Sequence, residues 1–416
     1  MQAALITIGD EILSGNTVDT NSTYIAEKLK NIGIKTVQIF TISDEIETIK
    51  KTMKSAFEVA DLVITTGGLG PTRDDKTKIA FKEFFNDELV LDEVTFEHLK
   101  QLLTKRNRES LVDLNKDQAV VLSKATILQN FNGTAPCQMV EENGKIAICL
   151  PGVPFEVKPF MKNQIIPFLQ EKFDLPFIET RIISVVEYPE SLLAKDISSW
   201  EDQLPKPITL SYLPIANRVK LKLTNVGFDL AKIKNELQIE VDKVLPIIKG
   251  KVIATNYEGI EDILHDLLIE KNLSLSVAES CTGGALSQLI SSVSGASQYF
   301  VASIIPYDYQ QKIKILGVLA ETIKSKTVVS EEVAQEMSFG LMNLFQTDIA
   351  LSTTGVAGPN SDEFNSEIGT VFYSIRVKDF EQTFRLFLPH LERKDFMSFV
   401  SQKVLQDLIA ILVKTA

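Results

Sequence analysis

Three short segments in the last third of the chain carry residues that together can cleave an acyl bond. The first, SVAESCTGG at 276–284, sets Ser280 where an apolar strand gives way to a helical stretch at 285–292. A serine at a helix start stands beside free backbone N–H groups, which can hold a developing negative charge or a phosphate. Gly283 and Gly284 keep the backbone approachable, and Thr282 is a candidate cap. The same residues also describe an ordinary capped turn. The second segment, YDYQQK at 307–312, puts Lys312 at another helix start. A buried lysine has a lowered pKa and can serve as general base to a serine hydroxyl, whereas a solvated one, as Lys314 is expected to be, cannot. The third, IALSTTGVAGP at 349–359, is a buried strand opening into a glycine turn whose amides can face the first turn across a ligand. Cys281 is a rival nucleophile, because a thiol is intrinsically stronger. Adjacent residues at a helix start point in different directions, so only one of the two faces a substrate.

A second group lies near the N-terminus. GGLGPTRDDKT at 67–77 follows a buried strand, with Gly67, Gly68 and Gly70 permitting close backbone approach and Thr72 among them. Asp74 and Asp75, with Asp10 and Asp44, are candidates to hold a divalent cation against phosphate oxygens. Asp44 also reads as an acid at the N-terminus of the helix that follows it.

The elements that must position these groups alternate between strand and helix. Apolar runs at 3–8, 35–40 and 62–66 separated by helical patterns at 23–31 and 47–60 predict a parallel sheet covered on both faces, with ligand-binding loops along one edge. Residues 91–114 read as a polar helical surface excursion, 146–150 as a further strand and 155–173 as a closing helix. From about 180 to 250 the pattern changes to half-exposed strands at 181–186 and 219–224 with helices at 192–201 and 230–244. A plausible linker at 249–259 leads into a helix at 260–270 and a strand at 274–278. The expected organisation is multi-domain α/β: an α/β domain over 1–170, a small α+β domain over 175–250 and an α/β domain over 258–416.

With 43 Lys and Arg against 55 Asp and Glu, the formal charge of −12 and the scattered lysines argue against nucleic-acid binding. Three widely spaced cysteines give neither a disulfide framework nor a metal knuckle and point to a reducing compartment. The N-terminal stretch lacks the features of a secretory signal, and no run approaches eighteen uninterrupted apolar residues, so a cytoplasmic protein without a membrane partner is expected.

The motifs ESCTGG at 279–284, YDYQQK at 307–312, LGV at 316–318, VSEE at 329–332, TGVAGP at 354–359 and GTV at 369–371 resemble the C-terminal domain of the CinA family, whose enzymes are nicotinamide-nucleotide amidohydrolases. The resemblance implies Ser280 as nucleophile, Lys312 as its base, and assistance from a tyrosine that is either Tyr307 or Tyr309. It implies attack on the carboxamide of nicotinamide mononucleotide, an oxyanion held by amides of the 280–284 turn or near Gly355, and release of ammonia and then nicotinate mononucleotide without a cofactor. Thr282, Gly283, Gly284, Thr354 and Gly355 then border the substrate, and Arg393 is a candidate phosphate ligand from a shifted position. Where the family usually has a glycine-rich run before GTV, this chain has NSDEFNSEI at 360–368.

TIGDEIL at 7–13, the 67–77 loop, NGTAP at 132–136 and PGVPFE at 151–156 resemble the CinA N-terminal domain, related to the molybdopterin-binding MogA and MoaB proteins. This implies a three-layer α/β domain that binds a nucleotide through Gly67, Gly68, Gly70, Thr72 and Asn132. Some relatives hydrolyse ADP-ribose with a divalent cation such as magnesium, for which Asp10, Asp44, Asp74 and Asp75 are the candidates, and relatives form homodimers. The competing expectations are a non-catalytic nucleotide sensor and a molybdopterin-binding protein.

Overall fold

The computed structural model describes residues 1–70, 72, 75–215 and 218–414. The chain divides into two compact units: Met1–Glu179 with Asn225–Asn235, and Thr180–Thr224 with Glu236–Ala416.

In the first unit, strands β1 (Gln2–Ile8), β2 (Lys35–Ile42) and β3 (Leu62–Thr66) alternate with helices α1 (Thr20–Lys30), α2 (Ile46–Val59) and α3 (Thr77–Phe84). The chain then adds β4 (Thr126–Leu128), β5 (Cys137–Glu142) and β6 (Lys145–Leu150), giving the sheet order β2-β1-β3-β6-β5-β4. Side chains alternate across this sheet with period two. Ala3, Leu5, Leu62, Ile64, Ile146 and Ile148 join one apolar layer, while Ala4, Ile6, Ile8, Val63 and Ala147 join the other. Both faces are therefore covered, which makes a three-layer sandwich and explains why β3 is buried along its whole length.

The sheet is not parallel throughout, as the strand–helix alternation had implied. β2, β1, β3 and β6 are parallel, but β5 runs antiparallel to β6 and β4 antiparallel to β5. The cause is local: Asn143 and Gly144 both adopt positive φ, 53° and 75°, between the paired residues Glu142 and Lys145. Asn-Gly accommodates that geometry and closes a two-residue hairpin with the twist the flanking strands need.

A sheet of order β8-β9-β7-β10, most of whose residues belong to the second unit, is made of β7 (Phe177–Val186), β8 (Thr209–Ile215), β9 (Arg218–Gly227) and β10 (Val252–Thr255). Helix α4 (Glu190–Glu201) contributes Leu193, Ile197 and Trp200 to its core. Helix α5 (Leu230–Val244) contributes Leu237 and Val241.

Beyond it come α6 (Ile260–Lys271), β11 (Leu275–Ala278), α7 (Ala285–Ser291), β12 (Phe300–Ile304), α8 (Tyr309–Leu316), α9 (Glu331–Phe345), β13 (Ile349–Gly355), β14 (Thr370–Val377), β15 (Phe380–Phe387) and α10 (Arg393–Lys414). The sheet order is β12-β11-β13-β14-β15; β11 pairs in parallel with both neighbours, while β14 and β15 are antiparallel. Helix α10 is long and apolar enough to cross a bilayer by length and composition, yet it is a core helix here. Phe396, Val400, Val404, Leu408 and Leu412 pack with β11, β13 and β14.

In this unit β11 is followed through α7 by β12 on one side, and later by β13 on the other. In the first unit β1 is followed by β2 on one side and β3 on the other. The carboxyl ends of β11 and β1 are thus topological switch points, where departing loops diverge and leave a crevice.

Candidate active site and nucleotide pocket

Ser280 sits at the β11 switch point. The Glu279 amide completes the strand by donating to the Ile304 carbonyl at 2.9 Å, and the chain then turns through 280–284 into α7. The wholly buried Glu279 carboxylate holds this turn, accepting from the amides of Gly284 (2.9 Å), Leu286 (3.1 Å) and Ser287 (2.8 Å) and from the Ser287 hydroxyl. A carboxylate at a helix N-terminus satisfies orphan donors and complements the helix dipole.

This arrangement corrects several expectations for the turn. Thr282 does not cap α7, whose cap position is Gly284 at φ 101° with no side-chain bond. The Thr282 hydroxyl lies within 2.9 Å of Thr353 Oγ1, wholly buried. The amides of Gly283 and Gly284 are spent on the Ser280 carbonyl and on Glu279. Thr282, Gly283 and Gly284 therefore shape the turn but do not line the cavity beside Ser280.

Helix α8 brings in the base candidate. Lys312 is 1% exposed, and its Nζ donates to Ser280 Oγ at 2.8 Å and to the Pro306 carbonyl at 2.8 Å. Burial pulls its ammonium down to about 8 from the ordinary 10.5, against the opposing pull of Cys281 and Asp308. Lys314, one residue beyond its neighbour on the helix, is exposed as expected. Cys281 is 4% exposed, and burial pushes its thiol up to about 12, so it stays protonated where a nucleophile must be a thiolate.

The cavity beside this pair has a volume of about 450 Å3. Thr354 and Gly355 line it, with the Thr354 hydroxyl donating to the Val328 carbonyl at 2.8 Å. Arg393, the first residue of α10, also lines it; its Nη1 donates to the Gly358 carbonyl at 3.0 Å and its Nη2 to the Tyr307 hydroxyl at 2.6 Å. Tyr309 instead meets Phe364 edge-on, ring centroids 5.7 Å apart. Both tyrosines border the cavity, each engaged with a partner other than Ser280.

Thr353 escaped the sequence reading, though it accepts from the Ser280 amide at 3.3 Å and ties the turn to β13. The role of Glu279 was also missed. Its signal was an acid placed just ahead of a strand-to-helix turn.

A second cavity, about 630 Å3, lies at the β1 switch point. Gly67, Gly68, Gly70 and Thr72 line it, as does Asp44. Gly67 and Gly68 have φ of 106° and 66°, and a Cβ on Gly67 would lie 2.1 Å from the Ile8 carbonyl oxygen, so glycine is required there. Asp75 folds back on its own loop, accepting from the amides of Gly70 (2.7 Å) and Thr72 (2.8 Å) and from the Thr72 hydroxyl (2.6 Å). Burial raises the Asp44 carboxyl; the Asp10 amide opposes this, and the negative charges of Asp10, Glu11 and Asp75 add to it.

Asp10 itself does not line the cavity, whereas Glu11 does; Asp10 reaches Asp44 through its backbone amide at 3.3 Å. Asp74 lies outside the described residues. Among the described residues, no three His, Cys, Asp or Glu side chains converge as a metal cage. Asn132 also stands off the cavity, held by its amide to Asn130 Oδ1 and its side chain to the Phe155 carbonyl; Thr134 and Ala135 of the same loop line it instead. Glu156, at the end of the PGVPFE motif, and Gln118, not singled out from sequence, line it as well.

A family model described as the CinA C-terminal domain matches residues 257–412, and one described as a probable molybdopterin binding domain matches residues 4–171. A CinA-like protein of Flavobacterium psychrophilum is 44% identical over 376 residues, covering 90% of each chain. One from Cytophaga hutchinsonii is 37% identical over 393 residues, covering 94% of each. Among solved structures, the protein CinA from Thermoplasma acidophilum, titled as of unknown function, is 32% identical with a TM-score of 0.37, covering 41% of this chain and 96% of its own. The chain belongs to the CinA family, with an N-terminal molybdopterin-binding-type domain of the MoaB and MogA kind and a C-terminal CinA domain.

Proposed function

We propose that the C-terminal domain hydrolyses the carboxamide of nicotinamide mononucleotide to nicotinate mononucleotide and ammonia. The observation that carries this reading is the buried Lys312 amine 2.8 Å from Ser280 Oγ at the edge of a cavity that also contains Arg393. In its neutral form Lys312 keeps an N–H on the Pro306 carbonyl and turns its lone pair to the Ser280 hydroxyl. Ser280 Oγ attacks the amide carbon as its proton passes to Nζ. Within the turn, Cys281 borders the cavity and its amide is the donor offered to the oxyanion, since Glu279, the Ser280 carbonyl and the Thr282 carbonyl occupy those of Gly283, Gly284, Ala285, Leu286 and Ser287. The Lys312 ammonium then gives its proton to the departing nitrogen, ammonia leaves, and water hydrolyses the acyl-serine by the same base. Arg393 is suited to the substrate phosphate, with Tyr307 steadying its guanidinium.

The test is ammonia release from nicotinamide mononucleotide, with mass-spectrometric trapping of an acyl adduct. Ser280→Ala should abolish both while the domain stays folded, and Cys281→Ser should retain substantial turnover. Normal turnover in Ser280→Ala with inactive Cys281→Ser would transfer the chemistry to the thiol. Binding without ammonia release would favour a nucleotide sensor.

A second reading concerns the N-terminal cavity, where a positive-φ glycine loop lies beside the Asp44 carboxylate, which burial and the negative charges of Asp10, Glu11 and Asp75 raise. We propose that it takes a phosphate-bearing nucleotide and hydrolyses ADP-ribose. A divalent cation would be held there by Asp44 together with the pyrophosphate oxygens, supplying charge neutralisation; such cations commonly rest on one or two carboxylates plus substrate phosphates. Asp44→Asn should abolish formation of AMP and ribose 5-phosphate from ADP-ribose and leave ammonia release intact. Pterin binding with no turnover of ADP-ribose would favour the molybdopterin-binding alternative.

A further inference from the structure

Segment 360–368 has hydrogen bonds of its own that give it a definite shape. The Asp362 carboxylate accepts from the amides of Phe364 (3.2 Å) and Ser366 (2.8 Å) and from the Ser366 hydroxyl (2.8 Å), while the Ser361 hydroxyl donates to the Ser366 carbonyl (2.5 Å). This closed loop sets Phe364 against Tyr309, the two rings at 82°. Both rings line the cavity that contains Ser280 and Lys312, as does the exposed Glu363.

The charge of the wall is lopsided. Asp308, Asp362 and Glu363 stand against Arg393 and Lys312, and Lys312 must be neutral to act as a base. Aromatic faces and carboxylates both favour a delocalised cation, and neither rewards its uncharged counterpart. An oxidised nicotinamide ring is such a cation, whereas its reduced dihydropyridine form is neutral and otherwise nearly the same shape.

We propose that segment 360–368 makes this cavity select the cationic pyridinium carboxamide over the neutral dihydropyridine carboxamide, with Phe364 and Tyr309 presenting aromatic surface and Glu363 the counter-charge. The selectivity rests on the amidohydrolase reading for the identity of the ring, but its test is separable from that reaction. The full-length chain carrying Ser280→Ala, which cannot turn substrate over, is titrated with nicotinamide mononucleotide and with its reduced form. The oxidised form should bind at least about tenfold more tightly, and adding Glu363→Gln or Phe364→Leu should each cut that ratio by about threefold or more, the scale of one cation–π or partly screened charge contact. Phe364→Tyr should preserve it.

Equal affinities in the parent, or a ratio unmoved by both substitutions, would overturn the proposal. So would equal loss of affinity for both forms, because that is the signature of a loop that only props the cavity open. Turnover by the unsubstituted chain separates the two ideas. Selective binding without ammonia release would remove the reaction and keep the selectivity, whereas ammonia release from both forms at equal kcat/KM would do the reverse.

Discussion

Lys312 illustrates how a single side chain couples stability to chemistry. Its folded-state pKa of about 8 lies below the ordinary 10.5, so the folded protein disfavours the charged form. Below about pH 8 the full penalty is present; between about 8 and 10.5 the unfolded chain binds the proton that the folded one does not, and stability rises with pH. In the proposed reaction the neutral amine is the base, so kcat/KM for ammonia release should climb up to about pH 8 and then level. A flat pH–rate profile across pH 6–9 would remove Lys312 from that role. Lys312→Ala should reduce turnover at least about a hundredfold, the scale of a lost general base, and Lys314→Ala should change it little. At this scale the sequence was informative where residue type and position were enough, as with Ser280 and Lys312. It was silent on Thr353 and Glu279, whose importance lies in which backbone amides they meet. It also misdirected Thr282 and Asn132, because a polar residue beside a glycine turn can point into a site or away from it with equal ease.

The nucleophile turn depends on what sits at the start of α7. Glu279 satisfies three amides there from a fully buried position, and a buried donor without a partner costs about 1–3 kcal/mol. Glu279→Gln keeps the shape but sets an NH2 group against N–H donors. It should lower stability to chemical denaturation by an amount on that order of about 1–3 kcal/mol and reduce turnover by shifting Ser280. An unchanged denaturation midpoint would show that the clamp is dispensable. The parallel strands β1, β2, β3 and β6 and the helices α1 and α2 between them were legible because each apolar run is set off by a helical pattern, whereas β4, β5 and β8 were not, and β10 lies inside the stretch expected to be a linker. The change from parallel to antiparallel pairing was not legible, although Asn143-Gly144 between two apolar runs is a strong local sign of a hairpin. The loop at 360–368 was visible only as an unusual stretch, since the shape imposed by Asp362 comes from bonds two and four residues away that composition does not reveal.

Two compact units, each with its own apolar cores, make a single all-or-none unfolding transition an unsafe assumption for the whole chain. Leu405→Ala, in the wholly buried face of α10, should cost about 2–5 kcal/mol in the second unit alone. Calorimetry should then show one transition moving down while the other stays in place; a concerted shift of both would mean the units unfold as one. The assignment of 225–235 to the first unit was not legible, since the switch of pattern near residue 180 carries no information on that segment. The cysteines offer a way to watch the two parts independently. Cys137 and Cys149 are buried in the first unit and Cys281 in the second, all unpaired and all with thiols held above their ordinary range by burial. Iodoacetamide should therefore leave the native protein unlabelled and fully active. Under pulsed alkylation with peptide mapping, each unit would carry its own chemical clock, recording how often it opens without any label having to be engineered in.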